Sequence, residues 1–284
     1  TLGRPEDPVA LSRITEYAVG PDGKIVAFRT YAPGVVTMYS DSGTYSRSFG
    51  RAGRGPGEFG ANPLSVSLHI DSDGRVHIIE GDRHTVVERG LDSLVRTKRV
   101  PANFIDALPL DGDRTVVTTR GGGGGHPSQV QIIDADGRVS PIVSSPYGDR
   151  DVRYLAPSRN GGFWVAHRDR YLVEEYDREG ARVRTLARDH DWFEPLEAGT
   201  PPPAAFSRPT LLDLYEDESG RLWLLIRVPE PDRERRERAL GSGQVRLDAL
   251  DWSAVQDTRI EVLDLETGEL LASASFDQAL RLLE

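Results

Sequence analysis

The sequence predicts an all-β protein made of repeated four-stranded antiparallel sheets, and three observations carry that prediction. Short β-branched and aromatic runs alternate with Asp-Gly or Asn-Gly turns, the pattern in which hairpins are written, while long amphipathic helical patterns are scarce. A turn followed by an apolar strand recurs five times along the chain. A strand–turn–strand element follows most of these copies at a similar distance.

The first element reads PDGKIVAFR (21–29), SDGRVHIIE (72–80), DGDRTVVTT (111–119), RNGGFWVAH (159–167) and ESGRLWLLI (218–226). Its glycine supplies positive φ at low steric cost, and the flanking Asp or Asn tolerates the same region. The second reads MYSDSGTYSRSF (38–49), QIIDADGRVSPIV (131–143), EEYDREGARVRTL (174–186) and EVLDLETGELLAS (261–273). In the second copy, VVERGLDSLVRTKRV keeps the shape but loses the Asp-Gly spacing. One unit is therefore strand, turn, strand, loop, strand, turn, strand, repeated at intervals of roughly 40 to 60 residues, the period of a β-propeller blade. Stacking such sheets buries faces that a lone four-stranded sheet leaves open.

The expected organisation is a single β-propeller domain over 1–284, with loop insertions at about 120–129 (RGGGGGHPSQ) and 229–256. Five complete blades are visible. The tail FDQALRLLE (276–284) resembles the first strand of a sixth blade that is incomplete or absent. Both insertions are expected to emerge on one face and form a flap.

Composition narrows the function. The chain has 284 residues, 28% of them charged, and a formal net charge of −10. That balance argues against nucleic acid or an anionic membrane as the main partner. No run approaches the roughly 20 apolar residues of a membrane span, and the opening TLGRPEDPVA has no signal-peptide pattern. Cysteine is absent, which removes disulfides, thiolate nucleophiles and zinc–thiolate sites.

GPGEFG (55–60) fits G-x-G-x-x-G, a dinucleotide fingerprint. That chemistry needs a strand before the glycines and a helix after them. Here FGRAGR precedes and the Pro63-containing ANPLSVSLHID follows, so neither half of the context exists. No Lys-Ser or Lys-Thr follows to make a phosphate loop. The glycines instead join one unit to the next, with Pro56-Gly57 forming a tight turn and Phe59 anchoring it.

Residues 50–82 (GRAGRGPGEFGANPLSVSLHIDSDGRVHIIEGD) resemble the inter-blade segment and following blade of NHL-repeat and TolB-like six-bladed propellers. GRGPGEF (53–59) carries the likeness, with a proline, a D-x-D-G turn and a strand after it. Family repeats place an acidic residue at the end of the second strand. Glu80 fits, whereas Arg29, Thr119, His167 and Ile226 depart. The resemblance to bacterial secreted propellers implies an extracytoplasmic home, periplasmic or secreted.

In a propeller, loops between the second and third strands emerge beside the blade-to-blade crossovers, and loops held by a rigid scaffold carry function. The candidate ligand-binding residues on that face are Arg29, Tyr31, Glu80, Asp82, His84, Arg120, His167, Arg168, Asp169 and Arg227. Crossovers add Arg51, Arg54, Glu58, Tyr147, Arg150, Asp191, Trp192 and Phe193. Arginine mixed with aromatic residues suits an acidic or carbohydrate-like ligand, or a protein. No G-x-S-x-G elbow is present and no complete metal set is visible: Glu80, Asp82 and His84, or His167 and Asp169, fall short of four ligands. The expectation is a non-enzymatic, monomeric binding or scaffolding module with no catalytic residue, metal or cofactor. The partner is a small molecule, carbohydrate or protein. The alternative is a metal-assisted lactonase, hydrolase or lyase acting in the channel.

Overall fold

The computed structural model describes residues 14–29, 35–60, 66–111, 113–120, 128–144, 151–193, 208–232 and 255–277. Among these the secondary structure is β, with no α-helix. The first sheet is β1 (Ile14–Val19), β2 (Ile25–Arg29), β3 (Val36–Tyr39) and β4 (Tyr45–Phe49), antiparallel and in chain order. A short parallel pair follows, β5 (Arg51–Ala52) with β6 (Glu58–Phe59). The second sheet is β7 (Val66–Ile70), β8 (Val76–Glu80), β9 (Arg83–Val87) and β10 (Leu94–Arg99). The third is β11 (Phe104–Pro109), β12 (Thr115–Thr119), β13 (Gln129–Ile133) and β14 (Val139–Ser144).

The fourth sheet is β15 (Arg153–Pro157), β16 (Phe163–His167), β17 (Leu172–Tyr176) and β18 (Arg182–Ala187). The fifth is β19 (Thr210–Glu216), β20 (Arg221–Pro229), β21 (Gln256–Asp264) and β22 (Leu270–Phe276). Among the described residues, five four-stranded antiparallel sheets in up-and-down order form blades of a β-propeller. The chain divides into two compact units, one holding the first three sheets and the other the last two.

Within each unit, neighbouring sheets pack face to face. Alternate residues of β8 divide between two cores. Val76 and Ile78 join Val26, Phe28 and Met38 of the first sheet, while Ile79 joins Phe104, Ala107 and Val117 of the third. Both faces of the strand are thus covered, which is why all of Val76–Glu80 is buried. In the second unit, Trp164, Ala166 and Val173 pack on Leu211, Leu214, Leu222 and Ile226. First strands also lie side by side, β7 against β1 and β11, and β15 against β19.

Four of the described turns share a device that refines the sequence expectation. Asp71, Asp134, Asp177 and Asp217 each stand three before the turn glycine and accept a backbone amide across the turn, while Gly20, Ser40 and Ser158 hold that place in three others. Asp134 Oδ1 accepts the amides of Asp136 (3.1 Å) and Arg138 (2.7 Å), and Asp177 Oδ1 accepts those of Glu179 (3.0 Å) and Ala181 (2.8 Å). Gly137 and Gly180 then take φ of 79° and 86°, which a Cβ would strain. These carboxylates accept backbone N–H groups, so the Asp-rich turns are Asx turns and not cation loops. In VVERGLDSLV the glycine, Gly90, stands one residue early, and Leu91 itself takes φ 54° and buries its side chain among the residues of the first core.

The insertion boundaries are also paired: Pro229 opposes Gln256, and Glu230 N donates to Val255 O at 2.9 Å. Most of both predicted insertions, residues 121–127 and 233–254, lies outside the described residues.

Candidate functional site

The glycine segment of the candidate face is organised by its own side chains. Glu58 Oε2 accepts the amides of Arg54 (3.0 Å) and Gly55 (2.8 Å), while Oε1 accepts Arg51 Nε (2.8 Å). Those amide bonds, then the Arg51 guanidinium, hold the Glu58 carboxyl below its ordinary range. A nucleotide phosphate would need these amides, and an internal carboxylate already occupies them. A Cβ on Gly53 would overlap that carboxylate, so glycine is required there by close approach.

Arg83, at the start of β9, ties this crossover to the second blade. Nη1 donates to Arg54 O (3.0 Å) and Gly55 O (3.2 Å), and Nη2 donates to Glu58 O (2.8 Å) and Glu80 Oε1 (2.5 Å). Glu80 Oε2 accepts Gly60 N at 3.0 Å. Phe59 closes the underside, fully buried with edge-on contacts to Phe28 (6.1 Å) and Phe49 (6.0 Å). Crossover and 2–3 turn therefore form one clasp.

The candidate residues sort unevenly. Glu80 is buried in the clasp and not presented to solvent, a correction to its placement on an open loop face. His84 is 1% exposed and His167 is 3% exposed, so both lie inside their sheets as well. Alternation explains it: Glu80 and His167 end their strands and His84 is the second residue of β9, and each side chain points into a packed face. Asp82 remains exposed, 3.6 Å from Arg99. Arg120 is exposed, its backbone paired with Asn103, which donates Nδ2 to Arg120 O at 2.7 Å. Arg168 and Asp169 pair with each other at 2.7 Å. Arg227 is half-buried on β20, opposite Thr210 and Thr258. Arg29 ends β2 and its side chain is outside the description; Tyr31, Tyr147 and Arg150 lie outside the described residues altogether.

Trp192 is half-buried, with Arg259 over one ring face (4.3 Å) and His190 stacked at 5.3 Å. Phe193 is buried against Tyr171. Tyr171 in turn donates to Glu261 Oε2 at 2.6 Å. These aromatics serve the packing of the second unit.

Two buried networks were not foreseen as networks. In the first unit, Asp71, His77, His84 and Thr115 form a continuous chain. His77 Nε2 lies 3.2 Å from Asp71 Oδ2, His84 Nε2 3.0 Å from His77 Nδ1, and Thr115 Oγ1 2.9 Å from His84 Nδ1. Every bond is satisfied with neutral imidazoles if each donor points toward Asp71. Nearby, His69 Nε2 donates to Ala107 O at 2.7 Å and Ser67 Oγ to Asp106 Oδ1 at 3.0 Å.

In the second unit, His167 bridges two carboxylates, Asp151 (Nδ1, 3.3 Å) and Glu174 (Nε2, 3.1 Å). Arg153 grips Asp151 with Nε (3.0 Å) and Nη2 (2.7 Å), and Arg182 and the Tyr176 hydroxyl reach Glu174. Burial opposes charge on His167, but the bonds to Asp151 and Glu174 outweigh it and raise its pKa. The cluster has an acid–base appearance, yet every member already faces a fixed partner.

The two networks respond oppositely to pH. Burial first, against the Asp71 bond, holds His77 down at about 4, and it holds His84 well below its ordinary value. The unfolded chain takes up these protons near pH 6.5, whereas the folded chain protonates His77 only near 4 and His84 well below its ordinary value. This part of the stability is thus full above about 6.5 and is lost as pH falls toward 4, by about 3 kcal/mol for His77. His167, with its pKa raised, contributes stability that is complete below about 6.5 and fades as pH rises through its folded value. Urea unfolding at pH 7.5 and 4.5 is expected to show the acid loss in the wild type and less of it in His77→Asn.

Glu80, Asp82 and His84, which fall short of a metal set in the sequence, do not converge in the structure. Glu80 turns to Gly60 and Arg83, Asp82 to Arg99, and His84 to His77 and Thr115. Among the described residues one other acidic group, Glu230, Asp257 and Asp277, has ligand oxygens within 4.8 Å of one another. No described helix is long and apolar enough to cross a membrane.

No protein-family model matches this chain, and no curated protein matches it. Solved structures do resemble it. A member of the DUF4221 family from Bacteroides vulgatus aligns with a TM-score of 0.59 at 10% identity, over 94% of this chain and 82% of that one. The β-propeller domain of Cps50 (Swd1) from Myceliophteria thermophila gives 0.52 at 12% identity, over 95% and 88%. The extracellular domain of a one component system from B. thetaiotaomicron gives 0.54 at 11% identity, over 94% of this chain and 31% of that one. At these identities the likeness is one of fold.

Proposed function

We propose that this protein is a binding or scaffolding propeller without catalytic activity, which engages its partner through the loop ends where second and third strands meet. The observation that carries the reading is the clasp. Arg83, Glu58 and Glu80 fix the crossover and the 2–3 turn as one rigid end, while His84 and His167, the side chains best suited to chemistry, are engaged inside the sheets. What these ends present is charged and suited to recognition: exposed Asp82 and Arg120 in the first unit, and the half-buried Arg168–Asp169 pair in the second. Fold alone does not decide function, so the reading rests on these residues.

Likeness to an extracellular domain supports an extracytoplasmic home. The match of GRGPGEF to the inter-blade segment of NHL-repeat and TolB-like propellers supports a six-bladed relationship, in which the five described blades have a sixth companion. The partner fits the class of acidic glycans or protein surfaces rich in carboxylates.

Each unit is testable by itself. An array of anionic oligosaccharides is expected to retain wild-type protein, and Arg168→Ala with Arg227→Ala, or Arg120→Ala alone, is expected to weaken retention about tenfold or more. Equal retention by wild type and by all these variants contradicts the assignment. Turnover of a lactone or ester substrate that is abolished by chelation contradicts the non-enzymatic reading.

A further inference from the structure

Among the described residues, each sheet ends in an outermost strand with no further strand paired to it, and the five edges are guarded differently. β4 carries Arg47, β10 carries Arg96, Lys98 and Arg99, β14 carries Pro141, and β18 carries Arg182 and Arg184. Charge and proline are the usual means of keeping such an edge from pairing. β22 reads LLASASF and has neither. It is seven residues long, against five or six for the others. Leu271 to Ser275 are exposed in succession, and Leu271 keeps 53% of its surface. An uncharged, proline-free strand of this length with an open edge is a template for strand addition.

Charge decides what fits there. Glu266 and Glu269 precede the strand and Asp277 follows it, all three exposed. Arg259, the cation beneath the strand, is engaged by Glu261 Oε1 (2.8 Å) and Ser273 Oγ (3.0 Å). A second copy pairing antiparallel about Ser273 would set Glu269 of each chain against Asp277 of the other, and opposed like charges destabilise a strand pair. The geometry points to a different occupant: an extended segment of another protein, uncharged and β-branched at its centre, with Lys or Arg at both ends, adding to β22 as a fifth strand. Main-chain bonds to β22 supply affinity, and the flanking carboxylates select the basic ends. This surface is separate from the loop ends, so either can fail without the other.

The test uses the full chain and a fluorescent peptide of alternating valine and threonine between lysine pairs, read by anisotropy. The wild type is expected to bind it. Leu271→Lys with Ser275→Lys, which alters only exposed side chains, is expected to weaken binding about tenfold or more with an unchanged melting temperature. A peptide of equal charge with prolines in its centre is expected to bind no better than that variant. The inference is overturned if the wild type does not bind the alternating peptide, if the proline peptide binds equally, or if the variant binds as the wild type does. It is also overturned if sedimentation shows a wild-type dimer that the variant abolishes, which makes a second copy the occupant.

Discussion

Asp151→Ala is expected to lower the stability of the protein by about 3–5 kcal/mol, the range for breaking a buried ion pair from one side. Asp151 lies beneath the surface with Arg153, whose side chain is 1% exposed, and with His167. Without the carboxylate, the guanidinium stays buried beside an imidazole that has lost one of its two anionic partners. Two consequences separate this from simple loss of packing. The His167 pKa, raised in the wild type, is expected to fall in the variant, and NMR titration of the imidazole reads that directly. Asp151→Asn keeps the volume and removes the charge, so it should reproduce most of the loss. Near-native stability in Asp151→Asn would assign the effect to shape rather than to the ion pair.

Trp164→Ala is expected to cost a similar amount, about 3–5 kcal/mol. The indole is wholly buried between the fourth and fifth sheets, in the cluster that includes Leu211, Leu222 and Ile226. Its Nε1 donates to Glu216 Oε2 at 2.7 Å, and the same oxygen accepts Arg159 N at 3.2 Å. Trp164→Phe keeps much of the apolar contact but leaves Glu216 short of one donor, so about 1–3 kcal/mol is expected from the unmet bond alone. The difference between the two variants in chemical denaturation measures packing apart from hydrogen bonding. Equal losses would place the whole effect in Glu216.

Some of this architecture is legible in the residues, because turn chemistry and strand periodicity are local. The D-x-x-G turn fixes hairpin register. With the turn at Asp71–Gly74, His69 must oppose His77, and the tight turn after Glu80 sets His84 opposite Ile79, as observed. GRGPGEF announces a crossover for the same reason: its glycines and Glu58 act on neighbours within a few residues. Burial of Glu80, His84 and His167 was not legible, since strand-end polarity reads as solvent exposure until the adjacent sheet is in place. His77 and Glu174 are hairpin neighbours of His84 and His167, but Thr115, on the next sheet and 31 residues from His84, is a partner that no local pattern encodes. The special character of β22 is legible once the outermost strands are known, because it lies in what the strand lacks.

Residues 51–60 are closed by their own carboxylate and not by a bound phosphate. Amide hydrogen exchange at Arg54 and Gly55 in the ligand-free protein tests it most directly. Both amides donate to Glu58 at 3.0 and 2.8 Å, so protection is expected without any addition, and its loss is expected in Glu58→Ala. Free exchange at both positions in the wild type, slowing only when NAD or ATP is added, would contradict the claim and restore the glycines to nucleotide binding.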